Sequence, residues 1–235
     1  MTPAGPTLAV VIPTREEEAA LPALLASLRD QTAPAERVVV VDAGSGDHTT
    51  EVARAFGADV IAAGVPGRGN QVAAGVAAVT EAVVLVAHAD MAVPPEALGR
   101  VRRHLAGHRE CPGGCLGHLF DSRRFALRVV EWFDRRRARA GHSYGDQAQF
   151  FRREALATAG GFPAQPIMED IELARRLRGL GPVAYLECPV TVSARRFERV
   201  GVVRTVWRNW RLRAAYRRGG PAACRAILER YYAAG

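Results

Sequence analysis

Lysine is absent from this sequence. All 32 basic residues among the 235 are therefore arginine, against 24 acidic residues, and the formal net charge is +8. Arginine binds phosphate and carboxylate through a planar, bidentate fork, whereas lysine offers a point charge. A general compositional bias toward arginine explains the bulk excess as well as a ligand does, so the positions of the arginines carry more information than their number.

Long apolar runs are also missing. The longest, residues 82–87, is far too short to span a bilayer. The N-terminus lacks a charged leader followed by an apolar stretch, so we expect no signal peptide and a cytoplasmic protein. Hydrophobic residues make up 49% of the chain, which is typical of a globular protein and excludes a disordered one.

Cysteine is scarce, with four residues in the chain. Cys111 and Cys115 have His104, His108 and His118 nearby in sequence, so a zinc site has to be considered. Their spacing is not that of a CxxC pair and no second pair follows. Reduced thiols in a cytosolic protein are the simpler interpretation.

The common nucleotide-binding glycine motifs are missing as well. The first predicted strand-to-helix turn, residues 13–18, reads PTREEE and has no glycine, which excludes a GxGxxG fingerprint there. No GxxxxGK[ST] motif occurs either. The three glutamates of this turn, at 16–18, suit the positive end of a helix dipole. Their negative charge argues against a pyrophosphate bound at the start of that helix. A phosphate-bearing ligand therefore requires a metal near Asp90 and arginines from elsewhere.

The first half of the chain alternates apolar runs with helical patterns. Strands are predicted at 8–12, 38–41, 59–62 and 82–87, and helices at 21–28, 44–56 and 70–79. This alternation predicts parallel βαβ units with right-handed crossovers. The fold class is therefore α/β, with a Rossmann-like, mainly parallel sheet flanked by helices.

Three polar residues directly follow predicted strands. Thr14, Asp42 and Asp90 come after the first, second and fourth strands. In open parallel sheets a ligand binds beyond the carboxyl ends of the strands, at the topological switch point. Two carboxylates at one edge are costly without a bound cation or hydrogen-bonding ligand, so this edge is the predicted site.

The second half is more irregular. Residues 125–139 predict a basic amphipathic helix, residues 171–178 another helix, and residues 183–192 an extended segment. A final helix carries Trp207 and Trp210. Neither a low-complexity linker nor a repeat separates the halves, which favours one domain over residues 1–235.

Several short motifs in order resemble the inverting family-two glycosyltransferases. They are VVIPTREE at 10–17, VDAGSGD at 41–47, HAD at 88–90 and ED at 169–170. GDQ at 145–147, MED at 168–170 and SARRF at 193–197 look like one small bacterial subgroup of that family. The resemblance extends to about Tyr216 and implies the type A nucleotide-diphospho-sugar transferase fold.

The resemblance also implies which part of the chain carries out each function. Residues 1–107 form a nucleotide-sugar-binding half, 108–198 an acceptor-binding and catalytic half, and 199–235 a C-terminal helical segment. The donor is a UDP- or GDP-sugar with Mn²⁺ or Mg²⁺, and the acceptor is unknown. The implied nucleotide-sugar site comprises Pro13, Thr14, Glu17, Asp42, Arg68, His88, Asp90, Arg195 and Arg196.

Within that set, Asp90 matches the last aspartate of the family's DXD motif and is the implied metal ligand. His88 departs from the motif's first aspartate, which puts the identity of the metal in doubt. Asp42 matches the aspartate that binds the nucleotide base, although it also suits capping of the loop at 44–47. Arg195 and Arg196 match cationic positions near the leaving diphosphate.

Asp170 matches the family's catalytic base, with the neighbouring Glu169 as the substitute. The competing interpretation makes Asp170 the N-cap of a helix that begins at Ile171, where the helix end lowers a carboxyl pKa. Asp146 and Gln147 line the acceptor side by resemblance.

The C-terminal helix combines two tryptophans with Arg204, Arg208, Arg211, Arg213, Arg217 and Arg218. Such a helix suits an anionic membrane surface, which indicates peripheral contact with the inner membrane face. Docking of both tryptophans on the protein's own core is the ordinary alternative. A basic nucleic-acid-binding module and a nucleotidyltransferase are the competing functions, but neither explains the acidic sheet edge, so no nucleic acid partner is expected.

Overall fold

The structure is a computed structural model that describes residues 5–65 and 67–232. The N-terminal part contains β1 (Leu8–Thr14), α1 (Leu21–Arg29), β2 (Arg37–Asp42), α2 (Thr49–Ala55), β3 (Asp59–Ala62), α3 (Arg68–Ala78), β4 (Val83–Val86), β5 (Met91–Ala92) and α4 (Ala97–Gly107). The following part contains β6 (Gly113–Cys115), β7 (His118–Phe120), α5 (Phe125–Arg139), a 3-10 turn (Gly145–Gln147), β8 (Gln149–Arg152), α6 (Arg153–Thr158), α7 (Glu169–Leu180), β9 (Ala184–Tyr185), β10 (Val190–Val192), α8 (Arg195–Val200) and α9 (Val202–Tyr232).

The main sheet has seven strands in the order β3-β2-β1-β4-β8-β6-β9. Strands β1 to β4 are parallel to one another, whereas β8 pairs antiparallel with β4 and β6. The predicted α/β class with a mainly parallel sheet is confirmed. The sequence runs outward from β1 to β3 and then crosses to β4, so the switch point lies between β1 and β4.

Alternate residues of β1 face two apolar layers. Leu8, Val10 and Ile12 pack with α1 and α4 on one face, and Ala9 and Val11 pack with α3 and α7 on the other. Burial on both faces explains why this strand is a continuous apolar run rather than an alternating one. The helices therefore cover both sides of the sheet.

Pro13 does not end the first strand as its sequence position suggested. It continues β1 in register beside Val41, and Thr14 lies beside Asp42. The predicted helix at 44–56 starts only at Thr49, because residues 43–48 form a loop around Asp42.

The predicted extended segment at 183–192 is two strands in different sheets. β9 extends the main sheet, whereas β10 joins β5 and β7 in a three-stranded sheet. Glu187 lies between them with a φ of 47°, in the left-handed region, and turns the chain from one sheet to the other.

The N-cap interpretation of Asp170 is wrong. Helix α7 begins at Glu169, and Met168 occupies the N-cap position with a φ of 59°. Asp170 is therefore the second residue of the helix. Its carboxylate contacts another segment, as described for the site, in addition to the main chain of its own turn.

Candidate active site

Thr14 and Asp42 meet at the carboxyl edge of the sheet. The Thr14 hydroxyl donates a hydrogen bond of 3.1 Å to Asp42 Oδ1. From α3, buried Gln71 donates its side-chain amide to the main-chain oxygens of Thr14 (2.8 Å) and Val41 (2.9 Å). Gln71 thereby joins the ends of both strands, a role that sequence reasoning missed.

The carboxylate of Asp42 accepts four hydrogen bonds, three from its own loop and one from Thr14. Oδ2 accepts hydrogen bonds from the main-chain N–H of Gly44 (3.0 Å) and Ser45 (2.8 Å), and Oδ1 accepts one from the Ser45 hydroxyl (2.6 Å) as well as that of Thr14. A carboxylate has about four acceptor positions. Asp42 therefore shapes the loop that follows β2.

The three glutamates after β1 have different partners. Glu16 accepts the N–H of Gly46 (2.8 Å), and Glu18 accepts the N–H of His48 (2.9 Å), so both fasten the first turn to the loop after β2. Glu17 differs, because burial first and the charge of Asp90 second raise the pKa of its carboxyl, while Arg195 lowers it. Glu17 therefore lies near Asp90 and Arg195, and its role in a nucleotide-sugar site stays a prediction.

Asp90 lies at the centre of a charged group. Its main-chain oxygen accepts a hydrogen bond from Ser193 N (3.1 Å), which brings the start of α8 to the end of β4. Burial raises the pKa of the Asp90 carboxyl, and the charges of Arg195, Arg196 and Arg68 oppose that rise. The structure thus places the two arginines after β10 beside the carboxylate after β4.

His88 is a buried, neutral imidazole. Burial, with a smaller effect of Arg68, lowers its pKa to about 3. Within residues 5–65 and 67–232, its Nε2 atom has no hydrogen-bond partner. A Cβ added to Gly145 would lie 2.9 Å from this atom and 3.4 Å from Asp170 Oδ2. A side chain at position 145 would therefore crowd the imidazole of His88.

Asp170 faces the 3-10 turn. Its Oδ2 accepts a hydrogen bond from Gly145 N (2.8 Å), and its Oδ1 accepts one from Ile171 N (2.9 Å). Arg68 Nη2 lies 3.8 Å from Oδ2. Glu169 is buried and binds Arg68 through Nε, and burial raises its pKa while Arg68 opposes the rise. Arg68 thus bridges from the predicted donor side to the predicted base.

Gln147 and Asp146 have unequal surroundings. Gln147 is buried and its Oε1 accepts the Tyr144 N–H (3.0 Å), so its side chain holds the turn. Asp146 lies beside His118, with Oδ1 3.9 Å from Nδ1, and His118 Nε2 is 3.6 Å from Asp134 Oδ2. These three side chains form a group that could hold a metal ion, although Arg137 also pairs with Asp134. Sequence reasoning missed the group, because its members come from three separate elements.

Cys111 and Cys115 lie outside that group. Both are buried free thiols, and burial raises the pKa of Cys115 to about 12. His104 and His108 stack on each other at 4.2 Å instead of facing the thiols. Among the described residues, the group that could hold a metal ion is His118, Asp134 and Asp146 and includes neither cysteine, so the geometry offers nothing in favour of the zinc interpretation.

The C-terminal helix does not dock its tryptophans on the core. Trp207 and Trp210 are 57% and 55% exposed, so that alternative is wrong. Among the described residues, no helix combines the length and apolar character that crossing a bilayer requires.

The described sheet, with its switch point between β1 and β4, has the architecture of the type A nucleotide-diphospho-sugar transferase fold. The profile described as glycosyl transferase family 2 matches residues 9–156, and the chain belongs to that family. Uncharacterized glycosyltransferases of Mycobacterium tuberculosis and Mycobacterium bovis are 44% identical over 88 residues, which is 37% of this chain and 38% of theirs. The aligned part thus spans well under half of those relatives.

Solved structures share the fold at low sequence identity. S. aureus TarS (residues 1–349) superposes with a TM-score of 0.66 at 17% identity, covering 80% of this chain and 60% of that one. Glucosyl-3-phosphoglycerate synthase from Mycobacterium tuberculosis, in complex with Mn²⁺, UDP and glucosyl-3-phosphoglycerate, gives 0.57 at 21% identity, covering 81% and 70%. A TarS complex contains UDP-GlcNAc.

Proposed function

We propose that this glycosyltransferase moves a sugar from a UDP- or GDP-sugar to an acceptor hydroxyl with inversion at the anomeric carbon. One observation carries the proposal. The carboxylates of Asp90 and Glu17 face arginines at the sheet switch point, and Arg68 connects that group to the carboxylate of Asp170. Sugar transfer from a diphosphate leaving group requires groups that bind the anion and a separate base for the acceptor hydroxyl. Arg68 links these two parts of the site.

The donor side follows the strand ends. Pro13 and Thr14 line the end of β1, where the nucleoside would lie in the half formed by residues 1–107. Because Asp42 already accepts four hydrogen bonds, we propose that it shapes the nucleoside pocket through its loop rather than by a free carboxylate. UDP-containing complexes of two fold neighbours support a uridine donor.

A divalent metal fits beside Asp90. Asp90 and Glu17 are close enough for the charge of one to raise the pKa of the other, a repulsion that a cation relieves. Hard carboxylate oxygens suit Mn²⁺ or Mg²⁺. When bound, the ion would neutralise charge on the diphosphate. The His118, Asp134 and Asp146 group suits a metal less well, since Arg137 already pairs with Asp134.

Asp170 acts as the base in the transfer step. The acceptor oxygen forms a bond to the anomeric carbon while the bond to the diphosphate oxygen breaks and the nucleoside diphosphate leaves. The Asp170 carboxylate takes the hydroxyl proton, and its hydrogen bond from Gly145 N holds it in place. Arg195 and Arg196 stabilise the negative charge that develops on the leaving group.

The acceptor side comprises residues 108–198, with Asp146 next to the base and Gln147 supporting the turn. Glu169 anchors Arg68 and stands beside Asp170 as the substitute base. The C-terminal segment, residues 199–235, ends in residues outside the described range. A cytoplasmic location is part of the proposal.

Thermal unfolding with a panel of nucleotide-sugars in Mn²⁺ or Mg²⁺ tests this function. We expect a UDP- or GDP-sugar to raise the melting temperature, and Asp90→Ala to abolish the rise. Asp30→Ala is the matched control, because Asp30 is an exposed aspartate at the end of α1. If no nucleotide-sugar stabilises the wild type with either metal, the proposed function is wrong.

A further inference from the structure

Two helices of this protein expose stripes of large apolar side chains. The spacing within each stripe places its members on one helix face. Phe125 is 81% and Val203 83% exposed, which is unusual for side chains of their kind. The two stripes are Phe125, Val129, Trp132 and Phe133 on α5, and Val203, Val206, Trp207 and Trp210 on α9.

Two contacts connect α5 with the segment that contains α8 and α9. Before α5, the Ser122 hydroxyl donates a 3.3 Å hydrogen bond to Glu198 of α8, which leads directly into α9. After α5, the ring of Tyr144 lies under Arg137 of α5 (3.5 Å) and Arg213 of α9 (5.1 Å). The start of α5 therefore lies near the start of α9, and its end near the middle of α9. Both contacts place α5 and the first half of α9 in the same region of the surface.

The charge on this surface has one sign. The acidic residues within α5, Glu131 and Asp134, are largely buried and paired with Arg128 and Arg137. Between residues 202 and 218 the sequence has no acidic residue. Across α5 and residues 202–218 of α9, the outward charge is therefore guanidinium.

Arginines and aromatic rings are also in contact. Arg136 lies 5.5 Å from the Trp132 ring, and Arg211 lies 4.7 Å from the Trp207 ring. Rings flanked by guanidinium groups match the boundary of an anionic membrane, where rings enter the acyl region and cations meet the headgroups.

We propose that this aromatic–arginine face, the exposed stripes of α5 and α9 with their flanking arginines, docks on an anionic phospholipid bilayer. Valines at 129, 203 and 206 neither stack on bases nor contact phosphate, which favours lipid over nucleic acid. The continuous positive charge opposes pairing with a second copy of the same face. This inference goes beyond the proposed function and does not depend on it.

Docking has a consequence for the acceptor, which does rest on the proposed function. Tyr144 precedes the turn with Gly145 and Asp146, and Arg195 starts the helix that leads into α9. The acceptor side of the site thus borders the aromatic–arginine face. A membrane-bound protein presents that side to an acceptor carried in the lipid surface.

Tryptophan fluorescence provides a direct test, because all three tryptophans of the chain belong to this face. The full chain is mixed with phosphatidylcholine vesicles that contain or lack phosphatidylglycerol. We expect a blue shift and co-sedimentation with the anionic vesicles, both weakened by salt. Donor binding, measured without vesicles, reports on the proposed function separately.

Two double variants locate the contact. Trp132→Ala with Phe133→Ala, and Trp207→Ala with Trp210→Ala, should each weaken vesicle binding about tenfold or more, since each removes two side chains that enter the bilayer. Phe56→Ala is the control, because Phe56 is exposed but lies outside the face.

Three results overturn the inference. One is the absence of a blue shift with anionic vesicles. Another is a wild-type dimer that the tryptophan variants convert to monomer in sedimentation velocity, which assigns the face to a second copy. The third is a tighter, vesicle-independent complex with single-stranded or duplex nucleic acid.

Discussion

Asp42 and Asp90 follow two strands of the same sheet edge, and both are shielded from solvent. Asp42 accepts four hydrogen bonds, three of them from its own loop. Asp90 is surrounded instead by the charges of Arg195, Arg196 and Arg68, and it raises the pKa of Glu17. A carboxylate satisfied by its own loop stabilises the fold, whereas one held beside a like charge is arranged for a ligand.

Helix α7 carries the same two kinds of carboxylate, one paired within its own element and one directed at the site, within about one turn. Glu172 pairs with Arg175 at 2.7 Å and with Arg176 at 3.0 Å, and these bonds are all within the helix. Asp170 accepts an N–H from the 3-10 turn and has its arginine at 3.8 Å. The same helix therefore carries a structural carboxylate and a carboxylate directed at the site.

The largest expected effect is on transfer. Asp170→Asn should lower kcat by about a hundredfold or more, because the amide cannot accept the acceptor's proton. Donor affinity should stay close to wild type by calorimetry. Glu172→Gln serves as the matched control and should keep its activity. A folded Asp170→Asn enzyme with full activity would assign the base to another residue.

A smaller effect is expected where α3 meets the segment before α7. A Cβ at Gly69 would lie 2.2 Å from the Gln165 carbonyl oxygen and 2.8 Å from Glu169 Cβ. Gly69→Ala should therefore reduce the free energy of unfolding by about 1–3 kcal/mol in urea titrations. Gly64→Ala is the control, since nothing lies within 4 Å of its Cβ position. Equal stability of the two variants would contradict this close contact.

Substituting asparagine at Asp42 and at Asp90 tests the comparison between these two carboxylates. Asp42→Asn should lower the free energy of unfolding by about 1–2 kcal/mol, because an amide cannot accept all four hydrogen bonds. Asp90→Asn should leave the unliganded protein as stable as wild type or more so, because burial disfavours its charge. Unchanged stability of Asp42→Asn with donor affinity lost would restore Asp42 as a direct ligand of the base.

The smallest effect is the pH dependence of Glu172. Hydrogen bonds from Arg175 lower its pKa to about 2, so the folded state releases the proton more readily than the unfolded chain. Its contribution is present above the unfolded pKa and is lost as the pH falls through the range from about 4.5 to 2. Glu172→Gln should cost about 0.5–1 kcal/mol at pH 7 and little at the acidic end, as measured by thermal unfolding. A cost that is constant with pH would exclude the ion pair as its source.

Local patterns predicted elements in both halves of the chain. Strand β3 at Asp59–Ala62 and helix α5 at Phe125–Arg139 have the predicted bounds. Buried strands and amphipathic helices leave periodic signals in sequence, so these elements are readable one at a time. Strands β6 and β7, three residues each, are too short to leave such a signal and form only through pairing.

The sequence by itself predicted that Thr14 and Asp42 would lie at one edge, because parallel strands end on the same side of a sheet, and the hydrogen bond between the two side chains confirms that placement. Tertiary structure decided which carboxylate is satisfied and which is not. Arg68 reaches Glu169 across 101 residues, and His118 meets Asp134 and Asp146 from separate elements. Such contacts depend on how distant elements pack, and no short sequence window contains that information.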